Sequence, residues 1–124
     1  MADAAAKARM TALLSQEQFE KLLVRDDTAN AGLTVVWFTA KWCGPCRRLG
    51  VDQIMTAGQQ AAAGGQARWF ICDVDDNNYT PGYCGVKSIP AFLAIRDGKP
   101  VGLKQISDTA AACAWIGGLV GGSK

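Results

Sequence analysis

The chain contains no histidine and only one Cys-x-x-Cys. A tetrahedral zinc site would therefore have to recruit Cys72, Cys84 or Cys113 from separate elements, and no metal is expected. No apolar run approaches the roughly 20 residues that a bilayer span needs, so no membrane partner is expected. Residues 1–9 are Ala-rich, carry Asp3, Lys7 and Arg9, and lack the apolar segment of a secretory signal. They read as a flexible tail, with a short organelle-targeting segment as the alternative, against which Asp3 argues mildly. Net charge is only +2, which gives no reason to expect nucleic acid. Internal repeats and linkers are also missing, so residues 10–124 are expected to form a single domain. The five cysteines leave one thiol unpaired even in a fully oxidised monomer. Small secreted scaffolds usually carry an even set, so a reducing compartment, the cytoplasm, is expected. A monomer is the expected state.

Met10 to Leu14 is compatible with a short strand. Ser15-Gln16-Glu17-Gln18 fits a capping box, with Leu14 and Phe19 placed for a hydrophobic staple. Phe19, Leu22 and Leu23 continue that helix to about Asp26. Leu33 to Thr39 is β-branched and aromatic with little alternation, as in a strand buried on both faces. A second helix should run from about Cys43 to Ala63, with Leu49, Ile54, Met55 and Ala61 as apolar positions and Gly64-Gly65 as its stop. Ala67 to Val74 reads as a buried strand, Asp75 to Asn78 as a turn, and Asn78 to Tyr83 as a short helix. Ala91 to Ile95 and Val101 to Gln105 flank Asp97-Gly98, a strong hairpin signal. Asp108 or Ser107 can cap a last helix whose Ala112, Trp115, Ile116 and Leu119 share a face. Gly117-Gly118 weakens that helix and Gly121-Gly122 ends it. This order predicts an α/β fold with helices on both faces of a mixed sheet.

The chemistry sits in Trp42-Cys43-Gly44-Pro45-Cys46, just after an apolar strand and at the start of a helix. Two thiols at that spacing make a reversible dithiol/disulfide centre. Exchange needs an attacking thiolate and a second thiol that releases the product. Cys43 is the candidate nucleophile, at the loop end where it can be exposed and can face the free N–H groups of the helix start. Cys46, one turn on, is the candidate resolving thiol. Pro45 tolerates an early helical position because no intrahelical acceptor is lost there. Gly44 permits close approach of a substrate backbone. Lys41, Arg47 and Arg48 add positive charge that favours thiolate. Ile89-Pro90 is a candidate cis peptide at a strand head, although the local sequence leaves cis and trans equally open. Cys72 and Cys113 read as buried small hydrophobes. Cys84 reads as more exposed, first as an ordinary thiol with no functional role and alternatively as open to glutathionylation or an intermolecular disulfide. Lys87, Arg47 and Arg48 suggest a weak preference for acidic partners.

Val35 to Leu49 resembles the thioredoxin family, as do Asp73-Val74-Asp75, Val86 to Phe92 and Asp97-Gly98-Lys99. The resemblance covers about residues 10–120. It implies a thioredoxin-like three-layer sandwich, with a central mixed β-sheet of about five strands flanked by about four helices. It also implies a cis Ile89-Pro90 bond facing a redox-active Cys43–Cys46 pair. A substrate groove would be formed by Trp42, Gly44, Pro45, Ile89, Pro90 and Ala91, where a substrate strand lies by backbone pairing. The implied activity is that of a thiol–disulfide oxidoreductase and electron carrier that reduces protein disulfides. It needs no bound cofactor, and a thioredoxin reductase or another dithiol system returns its electrons. Alternatives are a specialised carrier for one partner, such as a peroxidase or ribonucleotide reductase, and a binding module with redox as a switch.

Four positions depart from the family pattern. Trp37 stands where the family has a buried Asp beneath the dithiol, similar to some protozoan thioredoxins, and Ile71 stands where a Lys often neighbours that Asp. Cys46 then lacks its usual proton acceptor, Trp37 and Arg47 become the residues expected to tune the site, and Cys43 is expected to titrate in one step. Val51 replaces a kink-forming Pro, so the second helix is expected to be straighter. Ile106 replaces a groove Gly, where a side chain could narrow substrate choice or add an apolar contact.

Overall fold

The computed structural model describes residues 8–61 and 67–119. The expected tail before residue 8, the end of the second helix with Ala63 and Gly64-Gly65, and the Gly121-Gly122 stop lie outside them. Arg9, assigned to the tail by sequence, forms an ion pair with Asp52.

The first described strand is β1 (Thr11–Ala12), followed by α1 (Gln16–Lys21). Ser15 caps α1 by accepting from the Gln18 N–H, worth ~1 kcal/mol for such a cap. The reciprocal half of the box is shifted: Gln18 Oε1 accepts from the Leu14 N–H at 2.8 Å, one residue before the cap. Leu14 is exposed while Leu13 is fully buried, so Leu14 is not the staple. The helix also stops earlier than Asp26, capped at Leu22.

A 3₁₀ turn at Thr28–Asn30 leads into β2 (Leu33–Thr39), buried at every position as its composition predicted. Then follow α2 (Gly44–Arg48), α3 (Val51–Ala61) and β3 (Ala67–Asp73). The chain continues through α4 (Tyr79–Cys84), β4 (Ala91–Arg96), β5 (Lys99–Gln105) and α5 (Thr109–Gly117). The helix after the dithiol is thus two helices, and the expectation of a straighter one fails. Leu49 leaves the helical region (ψ 136°), the Gly50 N–H donates to Thr109 Oγ1 at 2.9 Å, and the Gly50 carbonyl opens α3 by accepting from Ile54. A tertiary bond to α5, rather than a proline, breaks the helix.

The five strands lie in the order β1-β3-β2-β4-β5. β3 is parallel to both β1 and β2, and β4 is antiparallel to β2 and β5. Asp97 (φ 53°) and Gly98 (φ 80°) make the β4–β5 turn, as the Asp-Gly signal requires. β2 alternates between two cores. Leu33, Val35 and Trp37 join Ile54, Met55, Ala112 and Ile116 from α3 and α5, whereas Val36 and Phe38 join Phe19 and Leu22 beside α1 and α4. These are the expected three layers, with five α-helices among the described residues where about four were expected. The outer strand β5 is mostly exposed and carries Lys99, Pro100 and Lys104. Asp108 caps α5 by accepting from the Ala111 N–H, and the α-helix ends at Gly117.

Candidate functional site

The C-terminal end of β2 delivers Lys41 and Trp42 to the surface and turns the chain into α2. Cys43 caps α2, and the Cys46 N–H donates to Cys43 Sγ at 3.2 Å. Pro45 sits in the first turn, where no backbone donor is needed. Cys43 and Cys46 are joined by a disulfide, with Cα atoms 5.2 Å apart. Cys43 was expected to be exposed; in this disulfide state only 4% of its surface is open, and Cys46 is buried. The accessible part of Cys43 lines a cleft of about 530 Å³, with Trp42, Gly44 and Pro45 on one side and Ser88 and Ile89 on the other. Val74, Pro81 and Val86 line the cleft as well, so most of its wall is apolar.

Across this cleft, Cys43 Sγ lies 3.8 Å from the Ile89 carbonyl oxygen, and the Ile89–Pro90 bond is cis. Trp42, Gly44, Pro45 and Ile89 stand where the groove was expected. Pro90 and Ala91 do not: both are buried and absent from the lining, because Ala91 already belongs to the β2–β4 ladder opposite Phe38. Ile106 turns inward against the core that holds the dithiol and also leaves the cleft unlined. Its expected effect on groove width is therefore not found.

Trp42 is 65% exposed, and its Nε1–H donates to Asp75 Oδ2 at 2.9 Å. That bond holds the ring as the outer lip of the cleft. Arg47 folds back on its own loop, donating to the Lys41 carbonyl at 2.9 Å. Trp37 is buried, faces Ile71 across β3 and Phe92 across β4, and stacks on the Phe92 ring at 6.5 Å. Among the described residues no carboxylate is buried: the buried polar side chains are Asn30, Thr34, Thr39, Asn77 and Thr80. The apolar pair Trp37 and Ile71 therefore has no acidic substitute nearby in the core.

Burial pushes the Cys72 thiol up to about 12, helped by the neighbouring Cys84, Asp73 and Asp76 charges. Burial pushes the Cys84 thiol up to about 11. Cys84 is partly buried rather than exposed, so it is a poor thiolate and a poor candidate for glutathionylation. Cys113 is only partly buried, less than its helix face suggested.

Sequence reasoning missed Asp75 as the anchor of Trp42, and Val74, Pro81, Val86 and Ser88 as cleft wall.

A profile of the thioredoxin family matches residues 10–114. The thioredoxin of Staphylococcus saprophyticus is 37% identical over 76 residues, covering 61% of this chain and 70% of that protein. The thioredoxin of Listeria monocytogenes is 37% identical over 78 residues, covering 61% and 71%. Among solved structures, Fasciola hepatica thioredoxin superposes with a TM-score of 0.69 at 30% identity, covering 86% of this chain and 96% of that one. Mitochondrial thioredoxin 3 of Saccharomyces cerevisiae gives 0.70 at 26% identity, covering 90% and 96%.

Proposed function

The chain belongs to the thioredoxin family, and on that premise we propose that Cys43 is the attacking sulfur and Cys46 the resolving one. The protein is a thiol–disulfide oxidoreductase that reduces protein disulfides by exchange through this pair. In the reduced form, the Cys43 thiolate attacks one sulfur of a target disulfide, and the other target sulfur leaves and takes a proton. Cys46 then loses its proton and attacks Cys43 in the mixed disulfide, which releases the second target thiol. Two electrons pass to the target, and the Cys43–Cys46 bond closes.

The reading rests on one observation: the disulfide opens, through its Cys43 sulfur, onto an apolar cleft whose far wall is the Ile89 carbonyl. Trp42, Gly44, Pro45 and Ile89 bind the substrate segment, while Trp37 and Arg47 tune the site without touching substrate. With the core carboxylate missing, the Cys46 proton leaves to solvent or to the departing thiolate. Residues 10–124 act as one domain and as a monomer, in a reducing compartment such as the cytoplasm. A second dithiol system, a flavoprotein thioredoxin reductase being the leading candidate, returns the electrons.

Insulin reduction with a flavoprotein reductase, and separately with small dithiols, tests this. Turnover is expected with the parent and none above background with Cys43→Ser or Cys46→Ser. Turnover that survives loss of Cys43 overturns the assignment. Activity confined to one partner protein would mark a narrow carrier instead of a general reductant.

A further inference from the structure

Gln105 ends β5, and its backbone stands opposite Ala91 in the β4–β5 ladder. Its side chain does something the ladder does not. The Gln105 Oε1 atom accepts from the backbone N–H of Lys87 and also from that of Ser88, the latter at 3.0 Å. Lys87 and Ser88 line the cleft directly before Ile89. One residue further along β5, the Ile106 N–H donates to the Pro90 carbonyl at 3.1 Å. The wall that faces Cys43 is therefore hung on β5 by one main-chain bond and by two bonds that converge on a single amide oxygen.

We propose that Gln105 is a positioning residue for substrate binding, which it serves by fixing the Lys87–Ile89 wall at its distance from Cys43. This inference rests on the exchange reaction assigned to the cleft above. Gln105 touches neither sulfur and does not line the cleft, so it acts only through that wall. The sulfurs are held independently, by the capping of α2. Gln105, Lys87 and Ser88 are all exposed, so water replaces the lost acceptor at little cost in folding stability. What is lost is order in the wall, which a docked segment must then restore as it binds.

The test uses pre-reduced protein in single-turnover reactions with insulin and with hydroxyethyl disulfide, a substrate too small to need the wall. Gln105→Met keeps length and removes the acceptor; Gln105→Glu keeps an acceptor oxygen. For Gln105→Met, the half-saturating insulin concentration should rise about three- to tenfold, the scale of one or two solvent-exposed hydrogen bonds. Its limiting rate, its rate with hydroxyethyl disulfide and its thermal midpoint should match the parent. Gln105→Glu should return insulin saturation to within about twofold of the parent. The proposal is overturned if Gln105→Met saturates like the parent, loses rate equally on both substrates, or is matched in its defect by Gln105→Glu. A parent protein that does not reduce insulin at all would instead refute the reading of the cleft.

Discussion

Cys46→Ser should hold a target in a stable mixed disulfide with Cys43, because the second exchange step has no nucleophile. Mass spectrometry of the reduced variant mixed with an oxidised target should find the covalent pair, and Cys43→Ser should give none. The titration of the same variant tests the apolar floor of the site. No carboxylate is buried among the described residues, so thiolate absorbance in the reduced parent and in Cys46→Ser should show no step belonging to a buried acid. A coupled step assignable to a carboxylate in the parent would refute that account. At this scale the sequence was informative where chemistry dictates residue type: the paired sulfurs, Pro45 and Trp37 fall in the elements they were read into, although Cys43 is less open than expected. It was silent on partners set by long-range approach. Asp75 reaches Trp42 across 33 positions and Gln105 reaches Ser88 across 17, and nothing local marks either.

Elements were legible in kind and less so in their ends. β2 was bounded correctly because its burial on both faces forces a β-branched, aromatic run. The break between α2 and α3 was not, because it depends on Thr109 of α5 meeting the Gly50 N–H. Thr109→Val should therefore destabilise the fold by about 1–2 kcal/mol in denaturant unfolding, since the donor is left without its partner. A glycine inside α3 gives a sharper test. A Cβ at Gly58 would stand 2.5 Å from Cζ2 of the Trp69 ring, a rigid group in the core beneath the sheet. Alanine is favoured over glycine in a helix by ~1 kcal/mol, so an open site would gain stability from Gly58→Ala. Here the overpacking should win, with a net loss of roughly 1–2 kcal/mol. A rise in the denaturation midpoint would show that the ring yields.

For the molecule as a whole, the described residues contain no helix long and apolar enough to cross a membrane, and the three-layer plan follows from the order of elements. The buried thiols give its stability an alkaline limit. Cys72 has an ordinary value of 9.0 and is raised to about 12 in the fold. A thiol raised in this way favours the folded state while it stays protonated. That contribution is complete below about pH 9 and is lost as pH climbs toward about 12. Denaturant midpoints of the oxidised protein should fall through that interval, and Cys72→Ala should flatten the fall. An unchanged slope in that variant would remove Cys72 as the cause. The sheet margin carries a different consequence. Along β5, Lys99 and Lys104 place charge, and Pro100 takes away a donor. A second copy finds no rail along this edge, and an extended segment arriving there is left to seek the cleft, where capture leads to chemistry.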